Sequence, residues 1–236
     1  MNRAIPALFA IALILAACSA PSPASPPATV TPSAPPTETP TPPPTSTSTV
    51  TPTSGPPTPT PIPTLVMSNA DGLLAEILSR GTIVISTDPD YQPQSFLNPA
   101  GTRPPDTKCA PEQLSGAELQ GFDIDISIQI GLRLGVEPCF VTPSFLAVEA
   151  GNWANKWDIS VGSMRITPER MKVLALTTPY YYEPGAFPLG IAIDHGSTLS
   201  IKTLLGALNQ IVDDMHNDGT LSALSIQWFG QDLTTR

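Results

Sequence analysis

The sequence predicts an α/β fold, with a mostly parallel sheet flanked by helices, in residues 67–236 of a 236-residue chain. Two observations carry this expectation. Short β-branched runs alternate with stretches of helical period, the order that builds a sheet between helices. Glycines at 81, 135 and 219 each follow an apolar helical stretch, where a left-handed residue closes a helix. About 170 residues suffice for one sizeable core and are marginal for two.

The elements follow in order. Residues 69–79 place Leu73, Leu74, Ile77 and Leu78 on one helical face, closed by Gly81. Residues 82–86 form a β-branched strand. Residues 122–134 form a helix stopped by Gly135. A second strand covers 139–142, a helical turn 147–150, and a third strand 158–162. Thr167 reads as an N-cap, with Pro168 at the first position of a helix over 167–174. A fourth strand spans 187–193. A long amphipathic helix spans 199–216, and a last helix spans 220–229. No internal repeat is visible.

Residues 1–17 read as a secretory signal, with Arg3 as its basic start and an apolar run over 4–15 too short to span a bilayer. The run ends in Leu15-Ala16-Ala17-Cys18, which resembles the lipobox of bacterial lipoproteins and marks Cys18 for lipidation. An ordinary signal peptide with an incidental cysteine is the alternative. Residues 18–66 are a Pro/Thr/Ser tract that holds over half of the 30 prolines and one charged residue, Glu38. Proline fixes φ and removes donors, and almost no apolar surface is available to bury. An extended, semi-rigid stalk is therefore expected. Its Thr and Ser density is compatible with O-glycosylation.

Arg3 and Glu38 are the only charges before residue 67, so the folded part carries the whole net charge of −9. An acidic exported domain is a poor partner for nucleic acid or anionic headgroups. No nucleic-acid partner is expected, and the lipid anchor alone would touch the membrane. No other apolar stretch is long enough for a transmembrane helix. Outside the cytoplasm Cys109 and Cys139 are expected to pair. A bridge would pin the insertion over 99–115 to the sheet edge and contribute about 3 kcal/mol. Two free thiols or a metal site are the alternatives, the latter disfavoured by the lack of a nearby histidine. No metal and no cofactor are expected.

Three motifs bear on chemistry. In Gly121-Phe122-Asp123-Ile124-Asp125-Ile126 the acids suit a helix's first turn and the apolar residues face the sheet, so it reads as a helix start. Thr87-Asp88-Pro89-Asp90-Tyr91-Gln92-Pro93 lies beyond the first strand, where ligands sit on α/β sheets. Taken alone it reads as a turn stabilised by Asp side chains. Ser163-Met164-Arg165-Ile166-Thr167-Pro168-Glu169-Arg170 joins a strand end, an N-cap and an arginine in a first helical turn. A cation there opposes the helix dipole at a cost of ~0.3–1 kcal/mol. It makes sense if a carboxylate binds to the guanidinium and the helix N-terminus. The alternative is an internal salt bridge from Arg170 to Glu169, Glu183 or another acid. Trp153 and Trp157 read as core or hinge packing, and His195 and His216 as surface residues.

In this order the motifs resemble the amino-acid-binding solute receptors of bacterial ABC importers, solute-binding protein family 3. Asp218-Gly219-Thr220 and Trp228-Phe229-Gly230 extend the resemblance over about 73–230. It implies a single periplasmic-binding-protein-like lobe of type II. It implies that Asp88 receives a ligand ammonium group, that Tyr91 lies over the ligand side chain, and that Arg170 holds the α-carboxylate with help from Ser163. Phe145 matches a position that lines the cleft. Arg165 departs from the pattern, in which many members carry Ser or Thr. It would add a second cation for an acidic ligand or fill part of the cleft.

Tyr180-Tyr181-Tyr182-Glu183-Pro184-Gly185-Ala186-Phe187 runs straight into Pro188-Leu189-Gly190. In the family an entire second lobe separates these two pieces, so the resemblance implies a lobe missing between 187 and 188. One lobe offers one wall, and affinity is expected to fall to ~mM, near −4 kcal/mol. The expected function is a lipid-anchored, extracytoplasmic amino-acid-binding component of an ABC importer that delivers to a permease. The alternatives are a non-transport interaction or dimerising module, and a dehydratase-like enzyme of the same fold. An enzyme would need an acid or base facing the substrate, and no such constellation is evident.

Overall fold

The computed structural model describes residues 69–235. The signal, Cys18 and the stalk lie outside the described residues. The described chain orders as α1 (Gly72–Arg80), β1 (Thr82–Ser86), β2 (Asp90–Tyr91), β3 (Ser95–Leu97), β4 (Leu114–Ser115), β5 (Leu119–Gln120), α2 (Phe122–Leu134) and β6 (Glu137–Val141). It continues as α3 (Phe145–Glu149), β7 (Ile159–Arg165), β8 (Leu174–Leu176), β9 (Tyr181–Glu183), β10 (Phe187–Asp194), α4 (Lys202–Asn217) and α5 (Thr220–Phe229).

The main sheet runs β4-β6-β1-β7-β10-β8, with β9 pairing the first half of β10. β1 is its buried centre, and all five of its residues are buried. Parallel pairing is confined to β6–β1–β7. The connections explain this. Helix α2 carries the chain from β1 to β6, and α3 carries it from β6 to β7. A parallel neighbour requires such a crossover. After β7 no α-helix intervenes until α4, so β8, β9 and β10 join through short connections and pair antiparallel. The sheet is thus less parallel than the strand–helix alternation implied. A second antiparallel sheet, β2-β3-β5, was not anticipated.

Alternation along β1 divides the core. Ile83 and Ile85 face a layer built by α1, α2, α4 and α5, with Phe122, Ile126, Ile130, Leu208 and Ile211 among its buried side chains. Val84 faces the other way, onto Val148, Trp153, Trp157, Met164 and Leu174. Trp153 and Trp157 are buried core residues with ring centroids 5.2 Å apart. Gly81 and Gly135 close α1 and α2 in the left-handed conformation, at φ 71° and 72°.

The helix expected over 167–174 does not form. A single 3-10 turn at Arg170–Lys172 is followed directly by β8. Leu174, Ala175 and Leu176 pair with Asp194, Ile193 and Ala192 of β10, and Leu174 is fully buried. A helix this short is marginal without packing, and the ladder captures its second half. A disulfide joins Cys109 to Cys139 across 30 residues, tying the insertion to β6.

Glu183 and Phe187 form the last pair of the β9–β10 ladder. Pro184, Gly185 and Ala186 turn the chain between them, and the Ala186 N–H donates to the Glu183 carbonyl at 2.9 Å. Gly185 sits at φ 94°, which the second position of a Pro-Gly turn requires. Phe187 and Pro188 are consecutive residues of one strand. Among the described residues no helix is long and apolar enough to cross a membrane.

Candidate functional site

One cavity of about 300 Å³ opens at the end of β7. Its walls are Asp88, Tyr91, Phe145, Gly162, Ser163, Arg165, Arg170 and Glu183. The six residues singled out in the sequence therefore converge on one place. The loop after β1 supplies Asp88, β2 supplies Tyr91, and the first residue of α3 is Phe145. Strand β7 supplies Ser163 and Arg165, the 3-10 turn Arg170, and β9 Glu183. Gly162 and Glu183 join them without having been singled out.

The charged wall residues are already engaged. Arg170 donates from Nε and Nη2 to Glu149 Oε1 at 2.9 and 2.8 Å, and from Nη1 to the Arg165 carbonyl at 3.2 Å. Its guanidinium lies 5.5 Å from the Phe145 ring centre. The internal salt bridge weighed for Arg170 thus exists, with Glu149 as its acid. One N–H on each terminal nitrogen remains beyond these bonds. Arg165 grips Glu183 from Nε at 2.7 Å and Nη2 at 2.5 Å, and its guanidinium lies 4.5 Å from the Phe187 ring centre. Asp88 Oδ1 accepts the Asp90 N–H at 3.0 Å, so the Asp-stabilised turn is present as well. Burial raises the Tyr91 hydroxyl above its ordinary range, and the charges of Glu183 and Asp123 add to the effect.

A helix N-terminus does not contribute to the cavity as expected. The Arg170 N–H donates to Thr167 Oγ1 at 3.3 Å and the Met171 N–H to the Thr167 carbonyl at 3.0 Å. These donors serve the turn. Any anion held here would rely on guanidinium groups.

Beneath Ser163 lies a buried polar cluster that the sequence did not reveal. Asp123 is fully buried; it accepts from Tyr180 Oη at 2.7 Å and from Ser163 Oγ at 2.8 Å. Ser163 Oγ accepts from Tyr181 Oη at 2.6 Å, and the Ser163 N–H donates to Tyr180 Oη at 3.1 Å. Ser163 itself holds a left-handed φ of 53°, uncommon for a residue with a Cβ. Burial pushes the Asp123 carboxyl up to about 7, against the opposing hydrogen bonds from Tyr180 and Ser163. Burial likewise raises Tyr180 and Tyr181. Asp123 does sit in the first turn of α2, yet its side chain turns to Ser163. The run Phe122-Asp123-Ile124 is buried throughout, which the sequence did not signal. Among the described residues no group of three or more His, Cys, Asp or Glu could hold a metal ion.

The sequence pattern of the bacterial extracellular solute-binding proteins, family 3, matches residues 83–231. The chain belongs to this family. A probable amino-acid ABC transporter-binding protein of Haemophilus influenzae is 25% identical over 136 residues. That match covers 58% of this chain and 45% of the relative. An octopine-binding periplasmic protein of Rhizobium meliloti is 26% identical over 151 residues, covering 59% of this chain and 45% of that one. The chain thus spans about half the length of the curated relatives it matches. The fold agrees with an ancestral amino-acid-binding protein that is a precursor of cyclohexadienyl dehydratase. The TM-score is 0.53 at 22% identity, covering 66% of this chain and 99% of the other. Family 3 members are extracytoplasmic solute-binding proteins, and these relatives include amino-acid-binding proteins of ABC transporters.

Proposed function

We propose that this chain is a one-lobed receptor for a small zwitterion, the amino-acid-binding component of an ABC importer. Cys18 would carry its lipid anchor, and the stalk over 18–66 would hold the domain away from the membrane. One observation carries the reading: the Asp88 carboxylate and the Arg170 guanidinium line one cavity together with the Tyr91 and Phe145 rings. That is a complement for an ammonium, a carboxylate and the carbon between them. We read it as a binder and not as a catalyst. In this reading the second lobe of the longer relatives is missing from the hairpin between β9 and β10. The ligand is covered on one side only. Glu149 competes for Arg170, so affinity is ~mM.

A thermal-shift panel of the twenty amino acids at millimolar concentration tests this. A ligand at about ten times its Kd, roughly 10 mM here, adds about 1.4 kcal/mol, which moves Tm by about 3–6 °C in a domain of this size. No shift across the panel sinks the reading. A second reading has its own observation: Tyr91, Phe145 and Phe187, at or beside the cavity, are 38%, 44% and 48% exposed. Such a face suits protein docking. Sedimentation equilibrium separates the two: self-association without any amino-acid response favours the dimerising module.

A further inference from the structure

The cluster under the cavity has more order than its packing requires. A hydroxyl carries one proton, and an ionised carboxylate only accepts. With Asp123 ionised, Tyr180 must donate to Oδ1 and Ser163 to Oδ2. The Ser163 proton being spent, Tyr181 must donate to Ser163 Oγ. The Ser163 N–H is also turned inward, onto Tyr180 Oη. Both donors of this wall residue are therefore held by Asp123, one directly and one through Tyr180. Ser163 keeps only oxygen lone pairs to offer the cavity.

We propose that Asp123 is the positioning residue of this wall: ionised, it holds both donors of Ser163 inward, and on taking up a proton it releases the Ser163 hydroxyl to donate into the cavity. The balance is simple. The added proton sits on Oδ2 and is donated to Ser163 Oγ, which already accepts from Tyr181. Both lone pairs of Ser163 Oγ are then filled, and its own proton is free to turn outward. Tyr180 continues to donate to Oδ1. The wall changes from acceptor, suited to an ammonium group, to donor, suited to a carboxylate. This rests on the reading of the cavity as an amino-acid site.

The surroundings favour an exchangeable proton. Asp123 is faced by Ser163 of β7, by Tyr180 and by Tyr181 of β9, all neutral. Tyr91 of β2 is within electrostatic reach. Asp125, farther along α2, is turned to Trp228 and Gln227 of α5. Arg165 and Glu183 neutralise one another at the mouth. Burial without a bonded cation holds the carboxyl at about 7, so the exchange falls near neutral pH.

The test uses the full chain and the two ends of an amino acid taken separately, methylammonium and acetate at equal ionic strength. The Ser163 and Gly162 amide resonances are followed by NMR. At roughly pH 9 methylammonium should shift them and acetate should not, and at roughly pH 5 the preference should reverse. Asp123→Asn carries a permanent donor at the second oxygen's position and should show the acetate preference at both pH values. The proposal is overturned by an unchanged preference in the wild type across this range, by no response to either ion, or by a folded Asp123→Asn that titrates like the wild type. If Asp123→Asn does not fold, the wild-type profile alone decides. Failure of the receptor reading is distinct: no amino acid binds, yet the reversal is seen. Amino-acid binding without the reversal removes this proposal and leaves the receptor.

Discussion

At the rim of the cavity Arg165 holds Glu183 with side chains 48% and 19% exposed, and Arg170 holds Glu149 at 17% and 38%. At the floor Asp123 is fully buried and rests on the hydroxyls of Tyr180 and Ser163, with no cation bonded to it among the described residues. Rim pairs of this kind contribute about 0–1 kcal/mol each, because water and salt screen them. A ligand can therefore displace their acids cheaply. The floor is expensive to disturb, because each member would leave another buried without a partner. A binding wall gains from this division, with screened charge where the ligand arrives and buried hydrogen bonds behind it.

Substitutions should split the same way. The largest effect belongs to Asp123→Ala, which orphans two buried hydroxyl protons and should lower unfolding free energy by about 3 kcal/mol in urea titration. A loss under about 1 kcal/mol would place the floor in the same class as the rim. The next is the pH dependence. The Asp123 carboxyl moves from an ordinary 3.8 up to about 7 on folding, so the folded state binds the extra proton. Its contribution is fully present below 3.8 and is lost as pH rises through about 7. The wild type should thus lose a few kcal/mol relative to Asp123→Asn between about pH 4 and pH 8. Parallel stability curves would remove Asp123 as the cause.

At the rim the readout changes from stability to binding. Arg170→Ala should weaken binding of whichever amino acid responds in the panel by about tenfold or more, while stability shifts by less than about 1 kcal/mol. An unfolded Arg170→Ala protein would erase the contrast. Smallest is Glu149→Gln. Freed from its competitor, Arg170 should bind that amino acid about two- to fivefold more tightly in calorimetric titration. Weaker binding would mean that Glu149 aims the guanidinium.

Asp88 follows β1, whose end could be read from the sequence, but Ser163 lies within β7, which runs to Arg165 past the expected end at 162; the grouping of Asp88, Ser163 and Arg170 was legible chiefly through the family resemblance. The long helices were legible as well, through their apolar spacing and closing glycines. What escaped depends on partners far along the chain. Arg170 meets Glu149 across 21 residues, and Asp123 meets Ser163 across 40. An acid in a helix's first turn is explained equally well by the dipole, so Asp123 gave no sign of facing inward. The 167–174 segment carries good helix-start residues, and only the distant strand β10 turns Leu174–Leu176 into β8. The six residues share a cavity; that they grip a ligand is the proposal the panel tests.

The turn at Pro184, Gly185 and Ala186 is exposed, and it is anchored on each side by a paired strand residue. Its two ends lie one ladder spacing apart, so a guest domain with adjacent termini can be spliced there at little entropic cost. One flank, Glu183, lines the cavity, and the other, Phe187, lies under the arginine that Glu183 holds. A fluorescent guest inserted at Gly185 would therefore sit beside the cavity walls.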